Sequence, residues 1–254
     1  MLQRKVLAGI LVLLMAVPWV ATAAPPHDPD FGNLEEDMPT RIEDAFVIPH
    51  GARELRWVNA FIRTDDNDNV WQTVPKVALG LFPNAQFEVA APFYIGEYRR
   101  NSGDVQLSLM YNVIREEGFL PAASVKGQVD IPTGKQSKGF DTTLKVLVTK
   151  TISETHKDRI HFNWSWKHNF EDRSGERVDG GLLALGYSRQ VTTNMLVIAD
   201  MSRQKRSDDQ EWNLAELGMR WQVAPRMVLS IGGAYGLGAD SPNAIVKTGL
   251  QYSF

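Results

Sequence analysis

A twofold alternation of apolar and polar residues, repeated in segments of about ten residues, constrains this chain more than any other feature. Between Ile160 and Lys167, large apolar residues alternate strictly with polar ones. From Val246 to Phe254 every second residue is apolar or Thr, and the residues between them are polar or Gly. A period of two places successive side chains on opposite faces of a β-strand. The pattern therefore predicts an all-β chain.

About twelve such segments follow Gly51, separated by turn residues. Short turns, such as 82–84 and 224–225, alternate with longer charged loops, such as 133–139 and 171–176. This sorting of loops is typical of transmembrane β-barrels, whose short turns face the periplasm. The predicted strands are residues 52–63, 70–81, 85–95, 104–115, 119–131, 141–153, 158–168, 178–189, 194–203, 210–222, 226–236 and 243–254.

The two faces of these strands differ in chemistry. One face carries bulky apolar residues, with aromatic residues such as Trp57, Trp221 and Tyr252 near strand ends, where membrane barrels have aromatic girdles. We therefore predict an antiparallel transmembrane β-barrel of about 12 strands with lipid outside, in preference to a soluble periplasmic β protein. The other face would line the pore: Glu54, Arg56, Lys76, Glu88, Lys126, Gln128, Asp130, Lys145, His161, Asn163, Lys167, Glu216, Arg220, Lys247 and Gln251.

The first residues have the features of a signal peptide. Arg4 and Lys5 precede an apolar run from Val6 to Val17, and Ala21-Thr22-Ala23 forms a small-residue cleavage site. We predict a cleaved signal peptide at 1–23, a leader at 24–51 and a barrel at 52–254. The five prolines of the leader favour extended chain, which we interpret as periplasmic; insertion into the barrel as a plug is the alternative.

The C-terminal strand ends in Tyr252-Ser253-Phe254. An aromatic residue at the end of an amphipathic strand resembles the insertion signal that is read by the outer-membrane assembly machinery. We therefore predict that Tyr252 and Phe254 form this signal, that the assembly machinery and outer-membrane lipid are partners, and that the protein resides in the outer membrane.

Several other classes of function are disfavoured. A net charge of −3 does not suggest a nucleic-acid partner, and the absence of cysteine removes disulfides and thiolate metal sites. The acidic run 65–69 lacks the glycine and closing glutamate of an EF-hand loop, so no metal or other cofactor is implied. None of the five histidines has a serine two residues further on, as the lipid-active barrel enzymes have, so no catalytic residues are predicted.

Four segments resemble one family in particular. They are Gly80 to Phe87, Ser102 to Val105, Val129 to Gly134 and Gly249 to Phe254. In this order they resemble the outer-membrane transporters named for the MetA pathway of phenol degradation, over residues 39–254. The resemblance implies a barrel that moves small hydrophobic or aromatic compounds, and it carries no binding residues over to this chain.

The predicted function is a passive, porin-like channel or transporter for small solutes. The mixed charges of the polar face leave two alternatives open. The first is a plugged structural or adhesive barrel that acts through its outer loops, and the second is a lipid-active enzyme. Barrels of eight strands are filled by side chains and those of sixteen leave a channel, so a count of about twelve does not decide between an open and a filled lumen.

Overall fold

The computed structural model describes residues 29–96, 100–135, 139–153, 155, 157–170, 178–206 and 210–254. The predicted signal peptide at 1–23 and the predicted loop at 171–176 lie outside the described residues. Within the described ranges, no helix is long and apolar enough to span a membrane.

The strand segments are β1 (Arg53–Arg63), β2 (Asn69–Phe82), β3 (Ala85–Ala90), β4 (Phe93–Gly96), β5 (Arg100–Ser102), β6 (Val105–Ile114), β7 (Ala122–Ile131), β8 (Asp141–Thr151), β9 (Asp158–Asn169), β10 (Asp179–Thr192), β11 (Met195–Lys205), β12 (Glu211–Ala224), β13 (Met227–Gly236) and β14 (Ala244–Ser253).

These segments form one closed antiparallel barrel of twelve strands. The sheet closes because β1 pairs with both β2 and β14. Segments β3 and β4 lie end to end along β2 and together make one broken strand. Segment β6 pairs with β3 and segment β5 pairs with β4, so β5 and β6 make the next broken strand. Pro92 lies at the first break, since it has no amide hydrogen for the ladder. The predicted fold and strand number are confirmed.

Most strand boundaries agree with the prediction to within three residues. The strand predicted at 141–153, for example, runs over Asp141–Thr151. The strand predicted at 119–131 begins only at Ala122. Residues 117–120 form a tight turn, in which the Leu120 amide donates to the Glu117 carbonyl at 2.9 Å, and Pro121 has no amide hydrogen.

The outer surface of the barrel is apolar. Large side chains such as Phe162, Trp164, Leu217 and Ile231 project outward from the middle of their strands and are more than a third exposed. A continuous apolar surface of this extent is far larger than soluble proteins expose, and it suits a hydrocarbon environment. The outer face is therefore the lipid-facing one.

Polar groups on the outer face have partners within the barrel. The Trp57 indole donates to Thr73 Oγ1 at 2.8 Å, and the Thr73 hydroxyl donates to Asn59 Oδ1 at 2.8 Å. Lys150, at the end of β8, pairs with Glu116 at 3.0 Å. Satisfying these groups internally removes the cost of exposing them to lipid, where no water can bind them.

Placing a charge in the middle of the outer face tests the membrane assignment. We expect Leu217→Arg to lower the free energy of unfolding in a lipid bilayer by about 2–4 kcal/mol, because Leu217 lies halfway along β12. Val223→Arg, near the end of the same strand, should cost about 0–1 kcal/mol. Urea titration of the barrel folded in liposomes measures both values, and equal costs at the two positions would contradict a membrane-facing surface.

Candidate functional site: the lumen and its N-terminal plug

Residues 29–48 lie within the barrel or at its short-turn mouth, and we call this segment the plug. Leu34, Met38, Ile42, Ala45 and Ile48 are each no more than 2 % exposed, and all of them pack against inward-facing residues of the wall. The interpretation of this segment as a periplasmic leader is therefore corrected for its described part. Its spaced apolar residues find their burial in the lumen, since outside the barrel they would face water.

The plug enters and leaves at the same end of the barrel, as a folded-back loop. Near that end, the Arg159 guanidinium donates to the Gly32 carbonyl at 2.9 Å and lies over the Phe46 ring. The Asp44 amide donates to the Leu34 carbonyl at 3.0 Å, and Asp44 Oδ2 accepts from the Leu34 amide, which ties the two arms together. Burial raises the pKa of Asp44 to about 7, although Arg159 and the hydrogen bonds from the Leu34 and Phe46 amides act in the opposite direction.

Inward-facing glycines make room for residues 36–42, which form the tip of the plug. A Cβ atom at Gly218 would lie 2.2 Å from Pro39 Cγ, and one at Gly186 would lie 2.4 Å from Ile42 Cγ1. Gly232, which pairs with Gly218 across β12 and β13, and Gly249 on β14 also adjoin the tip. At these four positions the wall has no side chain, and the plug occupies the space that a side chain would fill. Nothing in the twofold pattern of the sequence distinguishes these glycines from others.

The wall sets like charges directly opposite each other on neighbouring strands. Arg56 is opposite Lys76, and Lys126 is opposite Lys145. On the other side of the barrel, Asp200 is opposite Glu216. Like charges in such positions repel each other, most strongly where water is excluded. Wall carboxylates offset part of this repulsion, since Glu88 lies 2.9 Å from Arg56 and 3.9 Å from both Lys76 and Lys126. Lys145 has no such wall partner among the described residues, so charges from outside the wall are needed there.

The plug supplies the compensating charges. Residues 29–48 contain six carboxylates and one arginine, a net charge of −5. The resulting ion pairs are Glu35–Arg56 at 2.6 Å, Glu43–Lys126 at 2.6 Å, Asp37–Lys247 at 2.7 Å, Arg41–Glu216 at 3.5 Å, and Glu36–Lys145. Burial opposes ionisation of Asp37, but Lys247 and Arg41 hold its pKa below the usual value.

Arg56 is the most heavily coordinated of these charges. It is fully buried, and carboxylate oxygens of Glu35, Glu54 and Glu88 lie 2.6, 2.7 and 2.9 Å from its guanidinium nitrogens. Gln251 donates to Glu54 at 2.9 Å, which extends the network to the adjoining strand. Charge-assisted hydrogen bonds of this kind are the strongest that proteins make.

All fifteen predicted pore-lining residues project from the inner face of the wall. Thirteen of them are buried, and Gln128 and Lys167 are half-buried on the long-loop side of the plug. Their role in lining an open pore stays a prediction, as does the insertion signal at Tyr252 and Phe254. The acidic partners in the plug were not among the predicted site residues, because the prolines of that segment indicated only extended chain.

The plug separates two cavities. The first, at the end with the long loops, has a volume of about 600 Å³, and we call it the vestibule. Glu36, Asp37 and Arg41 form its floor, and Trp212 lies between Arg41 and Arg206 in cation–π contacts. The second cavity, of about 780 Å³, opens at the end with the short turns. Residues of the plug line both cavities, and Phe46 and Val47 border the second.

His161 has two hydroxyl neighbours that same-strand spacing could not reveal. Thr149 Oγ1 lies 3.1 Å from Nδ1 and Ser188 Oγ lies 2.9 Å from Nε2, on the two adjacent strands. Thr149 Oγ1 also accepts from the Ala45 amide at 3.0 Å, which links His161 to the plug. The tautomer of the imidazole decides which of the two hydroxyl groups donates to it. Among the described residues, no group of His, Asp and Glu is placed to hold a metal ion.

Comparison with known proteins agrees with this geometry. Residues 56–254 match the model of the family described as "Putative MetA-pathway of phenol degradation". The chain belongs to this family. The resemblance seen in the sequence is thereby confirmed, and the plug lies outside the matched residues. The comparison with curated proteins finds no match.

Three solved structures show the same fold at low sequence identity. An outer membrane channel from Pseudomonas putida F1 has a TM-score of 0.64 and 12 % identity, covering 83 % of this chain and 98 % of that one. The NanC porin has a TM-score of 0.58 and 10 % identity, covering 80 % and 100 %. The KdgM porin in complex with disordered oligogalacturonate has a TM-score of 0.57 and 7 % identity, covering 79 % and 99 %. The fold is that of outer-membrane channels and porins.

Proposed function

We propose that this protein is a passive channel for small solutes in the outer membrane, and that the plug holds it closed in the state described here. One observation carries the proposal: much of the lumen is filled by residues 29–48, which belong to no strand of the wall and which join the first strand through residues 49–52. At four positions beside the plug, the wall has glycines in place of larger side chains. Withdrawal of the plug would therefore leave a continuous passage through the barrel. The family and the porin-like fold support the same function.

The lining of the vestibule bears on the class of solute. It is rich in charged and amide side chains, among them Gln72, Gln106, Lys145 and Lys247. Such a lining suits polar solutes better than the hydrophobic or aromatic compounds that the family resemblance implies. Transport of those compounds stays a prediction.

A static barrel that acts through its outer loops is the second candidate, and the buried ion pairs of the plug favour it. The two candidates differ in whether the plug can leave. A static barrel has no use for a passage, so it predicts that loosening the plug changes stability without producing conductance.

The substitution Gly218→Val separates the two candidates. Its side chain would overlap Pro39, which should displace the tip of the plug while leaving the barrel strand intact, because valine is favoured in strands. We expect frequent stable openings in planar bilayers, where the unsubstituted protein is mostly silent. The control is Gly127→Val, since a Cβ at Gly127 meets nothing within 4 Å. A folded but silent Gly218→Val protein, with the plug released as judged by protease cleavage, would contradict the channel function.

A further inference from the structure

The tip of the plug presents two adjacent carboxylates to the vestibule. The side chains of Glu36 and Asp37 are 28 % and 40 % exposed, whereas their partners Lys145 and Lys247 are 8 % and 3 % exposed. Lys76 Nζ donates to the Glu36 carbonyl at 3.4 Å. A solute that enters from the long-loop end therefore meets these carboxylates first. Lys145 and Lys247 pair with the carboxylates, and Lys76 binds the main chain between them.

These lysines depend on the plug to different degrees. Lys247 keeps a wall partner, Glu216 at 3.0 Å, and Lys76 keeps Glu88 at 3.9 Å. Both carboxylates within ion-pair distance of Lys145 belong to the plug, Glu36 and Glu43. Lys145 also stands opposite Lys126. When the plug withdraws, this part of the wall has an excess of positive charge in a narrow lumen, where ionic interactions are stronger than in bulk water.

From these contacts we propose that Lys76, Lys145 and Lys247 form a binding site for a small dicarboxylate solute, and that Glu36 and Asp37 occupy this site as an internal mimic of that solute. The inference rests on the proposed function and names its solute class. A dicarboxylate supplies the two negative charges that the tip supplies, and the vestibule glutamines offer hydrogen bonds to the rest of a polar molecule. A neutral hydrophobic solute has no group that replaces either ion pair.

Because the solute and the tip compete for the same lysines, binding of the solute favours the unplugged, open state of the channel. A ligand that binds only the unplugged state shifts the population toward that state, and its apparent affinity is reduced by the fraction of protein that is plugged. Weakening the tip should therefore tighten solute binding, whereas weakening the wall lysines should loosen it. If these ion pairs had only a structural role, substitutions in the tip and in the wall lysines would not change solute affinity in opposite directions.

Equilibrium binding of glutarate to the full-length folded protein, measured by titration calorimetry in detergent, tests the proposal. We expect Glu36→Gln/Asp37→Asn to bind glutarate about tenfold more tightly than the unsubstituted protein, because fewer molecules are plugged. Lys145→Gln/Lys247→Gln should bind it at least about tenfold more weakly, since the ionic contacts are lost. Arg203→Gln is the control, because it removes a positive charge at the same end of the barrel but outside the lumen.

Two results would overturn the inference. One is an equal response to the neutral diamide of glutaric acid, or to sodium chloride at the same ionic strength, which would reduce the effect to non-specific binding or charge screening. The other is unchanged glutarate binding in Glu36→Gln/Asp37→Asn, whose substitutions lie outside the barrel strands and leave its folding intact. If the chain without the plug conducts but binds no glutarate, only the solute assignment fails; if it is folded and silent, the channel function itself fails.

Discussion

Deletion of residues 29–48 should open the barrel and raise its time-averaged conductance on the order of 100-fold, since a plugged state that dominates the population is replaced by a permanently open one. Residues 49–52 are kept because they anchor the start of β1: the Gly51 amide donates to the Gly80 carbonyl at 2.8 Å. The current should favour anions, because Lys126 and Lys145 lose the acidic partners that the plug provides. Planar-bilayer recording in a salt gradient measures both conductance and reversal potential.

A peptide of residues 29–48 provides the matching control. Tethered to the barrel, the plug has an effective concentration on the order of millimolar. Since plugged molecules outnumber open ones on the order of 100 to 1, the free peptide should half-block the barrel without residues 29–48 at roughly 10 μM, about a hundredfold lower. It should act from the short-turn side, where the plug enters. A peptide with Glu36→Gln and Asp37→Asn should block less well. A cation-selective current through the barrel without residues 29–48 would contradict the proposed excess of positive charge in its lumen.

The substitution Arg56→Gln should lower the free energy of unfolding by about 3–5 kcal/mol, the typical cost of removing one partner from a buried ion pair. It leaves the carboxylates of Glu35, Glu54 and Glu88 without their shared cation in a fully buried place. Urea titration of the folded barrel, followed by the electrophoretic shift between folded and unfolded forms, measures the change.

Two further variants separate this network effect from a general loss of charge. Adding Glu54→Gln to Arg56→Gln should restore part of the lost stability, since one of the orphaned carboxylates is neutralised. In the chain without residues 29–48, Arg56→Gln should cost less, because Glu35 is absent. Arg203→Gln, on the exposed outer rim, should leave unfolding unchanged. An Arg56→Gln protein as stable as the Arg203→Gln protein would contradict a contribution of the Arg56 ion pairs to stability.

Several properties of this protein follow from the sequence by itself. The strand predicted at 158–168 is observed at Asp158–Asn169, and the side of each inward-facing residue, from Glu54 to Gln251, follows from its parity along the strand. These are local properties, since a strand turns successive side chains to opposite faces whatever its partners are. The alternation of short and long connections likewise predicted the direction of the strands and the closure of an even-numbered barrel.

Only the tertiary structure decided what occupies the lumen. The plug has no periodicity, and its prolines indicate extended chain without saying where that chain lies. Its contacts join residues far apart in sequence, such as Glu36 with Lys145 and Asp37 with Lys247. The four glycines beside the tip and the hydroxyl neighbours of His161 also become adjacent only through cross-strand register. Closure of the sheet places strands that are distant in sequence around one lumen. The charges and the volume of that lumen then determine which segment of the chain fits inside it.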